Sequence, residues 1–236
     1  MSRRSEAPLQ VGSEGGSDSR LRGTTSKLPR SGANVVFDFG GVLFRWQPHE
    51  FFPRLLPRRA HSEAATSALV AEFFQGFGGD WGDFDRGVLD EARLAQRIAL
   101  RTGMALAEVQ TIIDAVPDEL QPLPHTEPLL NRLRERGHRL FFLSNMPRPY
   151  AAHLEATHPL AQWFADGIFS SRIGLIKPEP AIFHRAAAQF GVVPAETVFI
   201  DDYLMNVKAA GAIGWHGIHF LSGSQCEADL AARGLL

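Results

Sequence analysis

The sequence predicts an α/β protein, a parallel sheet with helices on both faces and a helical subdomain inserted early in the chain. Three observations predict it. Short apolar runs fall at residues 35–37, 139–143, 168–169, 198–200 and 215–220, the length and composition of buried strands. After residue 125 these runs alternate with stretches of helical periodicity, and such alternation means parallel strands joined by crossovers. Between the first run and the second, residues 47–124 show helical spacing with no strand pattern. That is far longer than the ~12–15 residues a structureless loop tolerates, so the segment must pack as a unit.

Bulk composition narrows the class. A chain of 236 residues with 44% hydrophobic and 21% charged residues is long enough for one large core or a core plus an insertion. A formal net charge of −2 gives no reason to expect a nucleic-acid or membrane-surface partner. No apolar run reaches membrane-span length and no signal-peptide core follows Met1, so a cytoplasmic location is the expectation. The single cysteine, Cys226, excludes an internal disulfide and a cysteine-rich metal site. Residues 1–33 are rich in Ser, Gly and Arg and poor in large apolar residues, the composition of a disordered extension. Glu6, Glu14 and Asp18 argue against a transit peptide.

In chain order, Val35-Val36-Phe37 runs into Asp38, and Gly40 and Gly41 follow. A strand end is where open α/β sheets bind ligands, and two glycines let backbone N–H groups turn toward an anion. Ser62 reads as the N-cap of a helix over 64–75 with Leu69, Val70, Phe73 and Phe74 on its apolar stripe, ended by Gly76 to Gly79. Further helices are expected over 89–101 and over 105–116, the latter stopped by Pro117. Between the helix over 64–75 and the one over 89–101, Phe77 to Gly87 mixes glycines, aromatics and charges, and reads either as a mobile loop facing a polar ligand or as a plain connector. Leu129, Leu130 and Leu133 mark a helix ending at Gly137. The next strand delivers Ser144 and Asn145. A helix over 182–190 is entered through Pro180. The strand at 198–200 delivers Asp201 and Asp202, and a helix through 207–210 is stopped by Gly211. The division that follows is a Rossmann-like core of residues 34–46 and 125–236, with a helical cap over 47–124.

Parallel strands point their carboxyl ends the same way, so Asp38, Ser144-Asn145 and Asp201-Asp202 share one edge, with Lys177 in a following loop. Two like charges about 4 Å apart repel by roughly 4 kcal/mol at an effective dielectric of about 20. Three carboxylates beside one lysine would therefore reject an anionic substrate. A divalent cation reverses this, and oxygen-only ligands favour Mg²⁺. Such an ion bridges carboxylates to a phosphate oxygen. Lys177 then fits as a charge clamp, Ser144 as a hydrogen-bond donor and Asp38 as the nucleophile of an aspartyl-phosphate mechanism.

These residues carry a family resemblance. Asp38-Phe39-Gly40-Gly41-Val42, Leu143-Ser144-Asn145, Ile176-Lys177-Pro178-Glu179-Pro180 and Phe199-Ile200-Asp201-Asp202 resemble, in order and spacing, the four motifs of the haloacid dehalogenase superfamily. The insert is similar to its C1-type cap, and the chain most resembles the bacterial alpha-D-glucose 1-phosphate phosphatase branch of subfamily IA. The resemblance implies a phosphatase of a small metabolite such as a sugar phosphate, working as a monomer or homodimer. It implies Asp38 as nucleophile and Mg²⁺ ligand, the Gly40 carbonyl as a further ligand, and Asp201 or Asp202 on the metal. It implies phosphate contacts from Ser144 and Asn145, and the charge clamp at Lys177.

One departure from the pattern bears on activity. Most phosphatases of the superfamily have a second aspartate two residues after the nucleophile, and here Gly40 takes that position. Loss of a general acid costs about a hundredfold or more in rate. Another proton source, a dehalogenase activity, or a weakly active binding protein would each accommodate it. The Asp201-Asp202 pair argues against a metal-independent dehalogenase. Arg45 and Trp46, just past the nucleophile loop, are placed to touch substrate where cap meets core, with packing at that hinge the alternative role for Trp46. The nine histidines show no metal-ligand spacing.

Overall fold

The computed structural model describes residues 32–236; the extension expected over residues 1–33 lies outside them except for its last two residues. The sheet has five strands, all parallel, in the order β3-β2-β1-β4-β5. These are β1 (Asn34–Phe37), β2 (Arg139–Ser144), β3 (Asp166–Phe169), β4 (Thr197–Asp201) and β5 (His216–His219). The central strand β1 is buried along its whole length, as expected of a parallel strand covered on both faces. Its register pairs Phe37 with Phe142 of β2 and with Ile200 of β4. That register brings the residues just beyond these partners to a common edge.

Side chains alternate across the sheet. Val36, Phe141, Leu143 and Phe199 face one side and pack with Ile182, Phe183 and Phe190 of the helix Pro180–Phe190 and with Ala210 of the helix Leu204–Ala212. Val35, Phe37, Leu140, Phe142, Val198 and Ile200 face the other, as the two-residue period of a strand requires. There they meet the helices Thr126–Glu135, Arg148–Thr157 and Gly223–Ala232.

Between β1 and β2 the chain forms α1 (Pro48–Leu55), α2 (Glu63–Phe74), α3 (Gly79–Asp85), α4 (Glu91–Thr102) and α5 (Leu106–Glu119). Ser62 caps α2 by accepting from the Ala65 N–H, and Asp90 caps α4 by accepting from the Arg93 N–H. The insert leaves and rejoins the core through two adjacent segments: Arg45 N–H donates to the Gln121 carbonyl and Leu123 N–H to that of Leu43, both at 2.8 Å. Its apolar residues are continuous with the β1 face of the core, so both belong to one buried cluster. No described helix is long and apolar enough to cross a membrane.

Three local expectations are corrected. Residues 79–85, expected in a loop or connector, form α3, because Trp81 and Phe84 are buried against Phe73, Phe74 and Tyr150. Helix α5 runs through Pro117 to Glu119. A proline removes the bond to the carbonyl four residues back, here that of Ile113, and the Tyr150 hydroxyl donates to that oxygen instead at 3.0 Å. Gly211 does not stop its helix, which continues to Ala212; the left-handed residue that follows is Gly214, at φ +92°.

Candidate active site

The carboxyl edge of β1, β2 and β4 carries the predicted polar groups together. Asp38 follows β1 directly, and its N–H extends the ladder to the Ile200 carbonyl at 2.9 Å. Ser144 and Asp201 are the last residues of β2 and β4. Lys177 reaches between the two aspartates, its Nζ 2.8 Å from Asp38 Oδ1 and 2.6 Å from Asp201 Oδ2. All three are buried. Such a pair survives desolvation only with good geometry and further hydrogen bonds, and both are present. Asp38 Oδ1 also accepts from the Phe39 N–H at 2.7 Å. Asp201 accepts from the Tyr203 N–H at 2.8 Å and, with both oxygens, from Asn206 Nδ2 at 3.0 Å.

Oxygens of Asp38, Asp201 and Asp202 lie within 4.8 Å of one another, a spacing and donor set that fits a hard divalent cation. Gly41 makes room for this cluster. It has φ +76°, and a Cβ there would collide with the Asp202 carboxylate. Electrostatics point the same way. Burial, followed by the charges of Asp201 and Asp202, pushes Asp38 up to about 8 against the opposing pull of Lys177. Asp202, at the mouth with solvent on one side, is pushed up to about 6 by its packed flank and then by Asp201. Burial acts against the Lys177 ammonium, but the two carboxylates outweigh it and hold its pKa above the ordinary value. A buried carboxyl with so high a pKa is a poor nucleophile at neutral pH until more positive charge arrives. That is what a bound cation provides.

Asp38, Asp202 and Lys177 line a cavity of about 470 Å³ to which the insert also contributes wall residues. Its far wall is Trp46, Trp81, Val116, Leu120 and Tyr150, with Asp85 at the end of α3. Met146, Ile176 and Met205 complete the sides. Ser144 and Asn145 both line it. The Asn145 side chain, however, exchanges two hydrogen bonds with the Lys177 backbone, donating to its carbonyl at 3.0 Å and accepting from its N–H at 2.8 Å. It positions the lysine loop rather than presenting both amide groups to a phosphate.

Arg45 is not brought to the cavity. Its guanidinium is engaged by Gln47 and Glu50, at 2.8 and 2.7 Å, and lies 3.7 Å from Glu119, so it braces the hinge of the insert. Trp46 does reach the cavity. Of the histidines, His219 stands behind the acidic edge, its Nε2 2.9 Å from the Asp202 carbonyl. Asn206 and Asp85 were not anticipated. Asn206 had a readable signal, an amide one helical turn after an acidic strand end. Asp85 lay inside a stretch whose general character was legible but whose individual residues were not.

A family model for haloacid dehalogenase-like hydrolases matches residues 33–214. Among curated relatives, the sesquiterpene phosphatase astK of Aspergillus oryzae is 28% identical over 187 residues, covering 78% of this chain and 88% of that protein. The plasmid phosphoglycolate phosphatase of Cupriavidus necator is 30% identical over 134 residues, 55% of each chain. Among solved structures, the HAD family enzyme bt-2542 of Bacteroides thetaiotaomicron, in complex with magnesium and inorganic phosphate, superimposes with a TM-score of 0.62 at 24% identity, covering 82% of this chain and 96% of that one. The parallel sheet, the acidic edge and the match over most of the described residues agree: the chain belongs to the haloacid dehalogenase-like hydrolase family.

Proposed function

We propose that this protein is a Mg²⁺-dependent phosphomonoester hydrolase that works through an aspartyl-phosphate on Asp38. The observation that carries the reading is Lys177 held between Asp38 and Asp201 at an edge where three carboxylates converge. Asp38, Asp202 and the Gly40 carbonyl would hold the ion. Asp201 is the weaker candidate for direct ligation, because four donor contacts already occupy its oxygens. When bound, Mg²⁺ neutralises charge developing on the transferring phosphoryl group. The Asp38 carboxylate attacks phosphorus, Ser144 donates to a phosphoryl oxygen, and Lys177 balances charge on Asp38 throughout. Water then splits the acyl phosphate and restores Asp38.

For the leaving group, the apolar cap-side wall favours one of two classes. A sugar phosphate, the class implied by the resemblance to glucose 1-phosphate phosphatases, would leave its hydroxyls against Trp81, Val116 and Leu120, and unpaired polar groups are costly there. An apolar alcohol would instead bury its carbon chain, at about 25 cal/mol per Å². Tyr203, Leu204 and Met205 add an exposed apolar lip beside Asp202. The sesquiterpene phosphatase name of one relative agrees with an apolar substrate, and we favour a phosphorylated apolar alcohol, with a sugar phosphate second.

The test is turnover of p-nitrophenyl phosphate, which must need Mg²⁺, stop with EDTA and fall on the order of 10⁴-fold or more in Asp38→Asn. A metal-independent rate or an unaffected variant overturns the reading. Comparing farnesyl phosphate with glucose 1-phosphate then ranks the substrate classes by kcat/KM. Gly40 keeps a second reading alive, since halide leaves without a proton. Chloride release from 2-chloropropionate would favour it, and ligand-induced thermal stabilisation without turnover would favour a binding protein.

A further inference from the structure

An in-line attack by Asp38 places the leaving oxygen on the far side of phosphorus, toward the helical insert. An alkoxide leaves there only with a proton, and Gly40, beside the nucleophile, has none to give. Steric crowding does not explain that glycine: a Cβ on Gly40 would meet nothing nearer than Trp46 side-chain carbons at 3.6 Å. The far wall does contain one carboxyl, that of Asp85, lining the same cavity as Asp38 and Lys177.

The backbone around Asp85 is fixed to the core at three consecutive residues. The Ser170 hydroxyl donates to the Asp85 carbonyl at 2.6 Å, and itself accepts from the Met146 N–H at 2.9 Å. The Arg86 guanidinium grips both Glu179 carboxylate oxygens and donates to the Gly174 carbonyl at 3.1 Å. Gly87, at φ +77°, lies so close to Ser171 that a Cβ would collide with the Ser171 backbone oxygen. A side chain of the insert is thereby held at the core with the rigidity that catalytic placement requires.

We propose that Asp85 is the proton donor to the leaving alcohol, a role that rests on the phosphatase reading above. Burial, and after it the nearby Asp38, push its carboxyl well above the usual carboxylate range against the pull of Lys177, the direction that favours the protonated form a donor needs. As the Asp38 oxygen bonds to phosphorus and the phosphorus–oxygen bond of the ester breaks, the Asp85 proton passes to the departing oxygen, and alcohol is released. The resulting Asp85 carboxylate accepts a proton from the water that attacks the aspartyl-phosphate. The bond from phosphorus to Asp38 breaks, inorganic phosphate leaves, and both side chains return to their starting states.

The experiment compares Asp85→Asn with wild type on n-octyl phosphate, whose alkoxide needs a proton, and on p-nitrophenyl phosphate, whose phenolate does not. In single-turnover measurements the variant is expected to lose about 10²- to 10⁴-fold on the octyl ester but less than about tenfold in nitrophenolate release. Phosphoryl-enzyme should then accumulate on Asp38, because its hydrolysis has lost the base. Adding Gly40→Asp to Asp85→Asn should restore octyl phosphate turnover at least about tenfold. Equal losses on both esters, or none, overturn the assignment. So does a steep dependence of the wild-type rate on leaving-group pKa, a measurement that needs no variant. If wild type turns over neither ester, the phosphatase reading fails and takes this assignment with it.

Discussion

The two walls of the cavity are built from opposite materials. At the sheet edge, Asp38, Asp201 and Asp202 stand at or just past strand ends held by ladders on both sides, and Lys177 reaches in from a loop to bridge Asp38 and Asp201. On the insert side, α3 and α5 present Trp81 and Val116, and Leu120 just past α5 joins them, with Asp85 as the one acidic side chain of this wall. On the function proposed above, the edge would suit any phosphoryl group, because charge and a bound cation would recognise what all phosphomonoesters share. The insert meets the part of the substrate that differs, through shape and apolar area. On that proposal one wall would set the reaction and the other the choice of substrate, a division that lets selectivity change without disturbing the chemistry.

Lys177→Met strikes the charged wall and should have the largest effect. It leaves buried carboxylates without their partner, at a cost of about 3–5 kcal/mol in urea unfolding without metal. Added Mg²⁺ should recover part of that loss if the carboxylates are the cause; a deficit indifferent to Mg²⁺ would locate it in lost packing. Tyr150→Phe tests the seam between the walls. The Ile113 carbonyl, freed by Pro117, loses its donor, for which about 1–3 kcal/mol is expected. A neutral result would mean another donor reaches that oxygen. Arg86→Ala should matter least to stability, about 0.2–1 kcal/mol, because the Arg86–Glu179 pair is partly exposed. Its effect should fall on turnover of poor leaving groups, through Asp85 next door, while nitrophenyl ester turnover changes little. A uniform loss on both esters would make the pair a simple closure latch.

Much of the charged wall was legible in the sequence, and little of the apolar one. Asp38, Ser144 and Asp201 each end a short apolar run, and parallel strands admit one arrangement of their carboxyl ends. No contact needed to be known to place them together. Arg45 stands away from the cavity because its near neighbours Gln47 and Glu50 engage its guanidinium, with Glu119, five helices later in the chain, adding a weaker pull. Pro117 and Gly211 were read by their intrinsic preferences. Tertiary context overrode both: Tyr150 supplied the missing donor at the first, and Gly214 took the turn expected of the second.

What the sequence determined by itself was the alternation of strand and helix, and with it the row of acidic and hydroxyl groups along one edge, since both follow from local periodicity and chain direction. Only the tertiary structure decided that Asp201 spends its oxygens on four donors while Asp202 stays open, that Asn145 holds the lysine loop, and that Asp85 lines the same cavity as the nucleophile. Each of these depends at least in part on contacts between residues well separated in the chain: Asp201 with Lys177, Asn145 with the Lys177 backbone, and Asp85 with Ser170. Such contacts form because burial brings the segments together, and no local pattern encodes them.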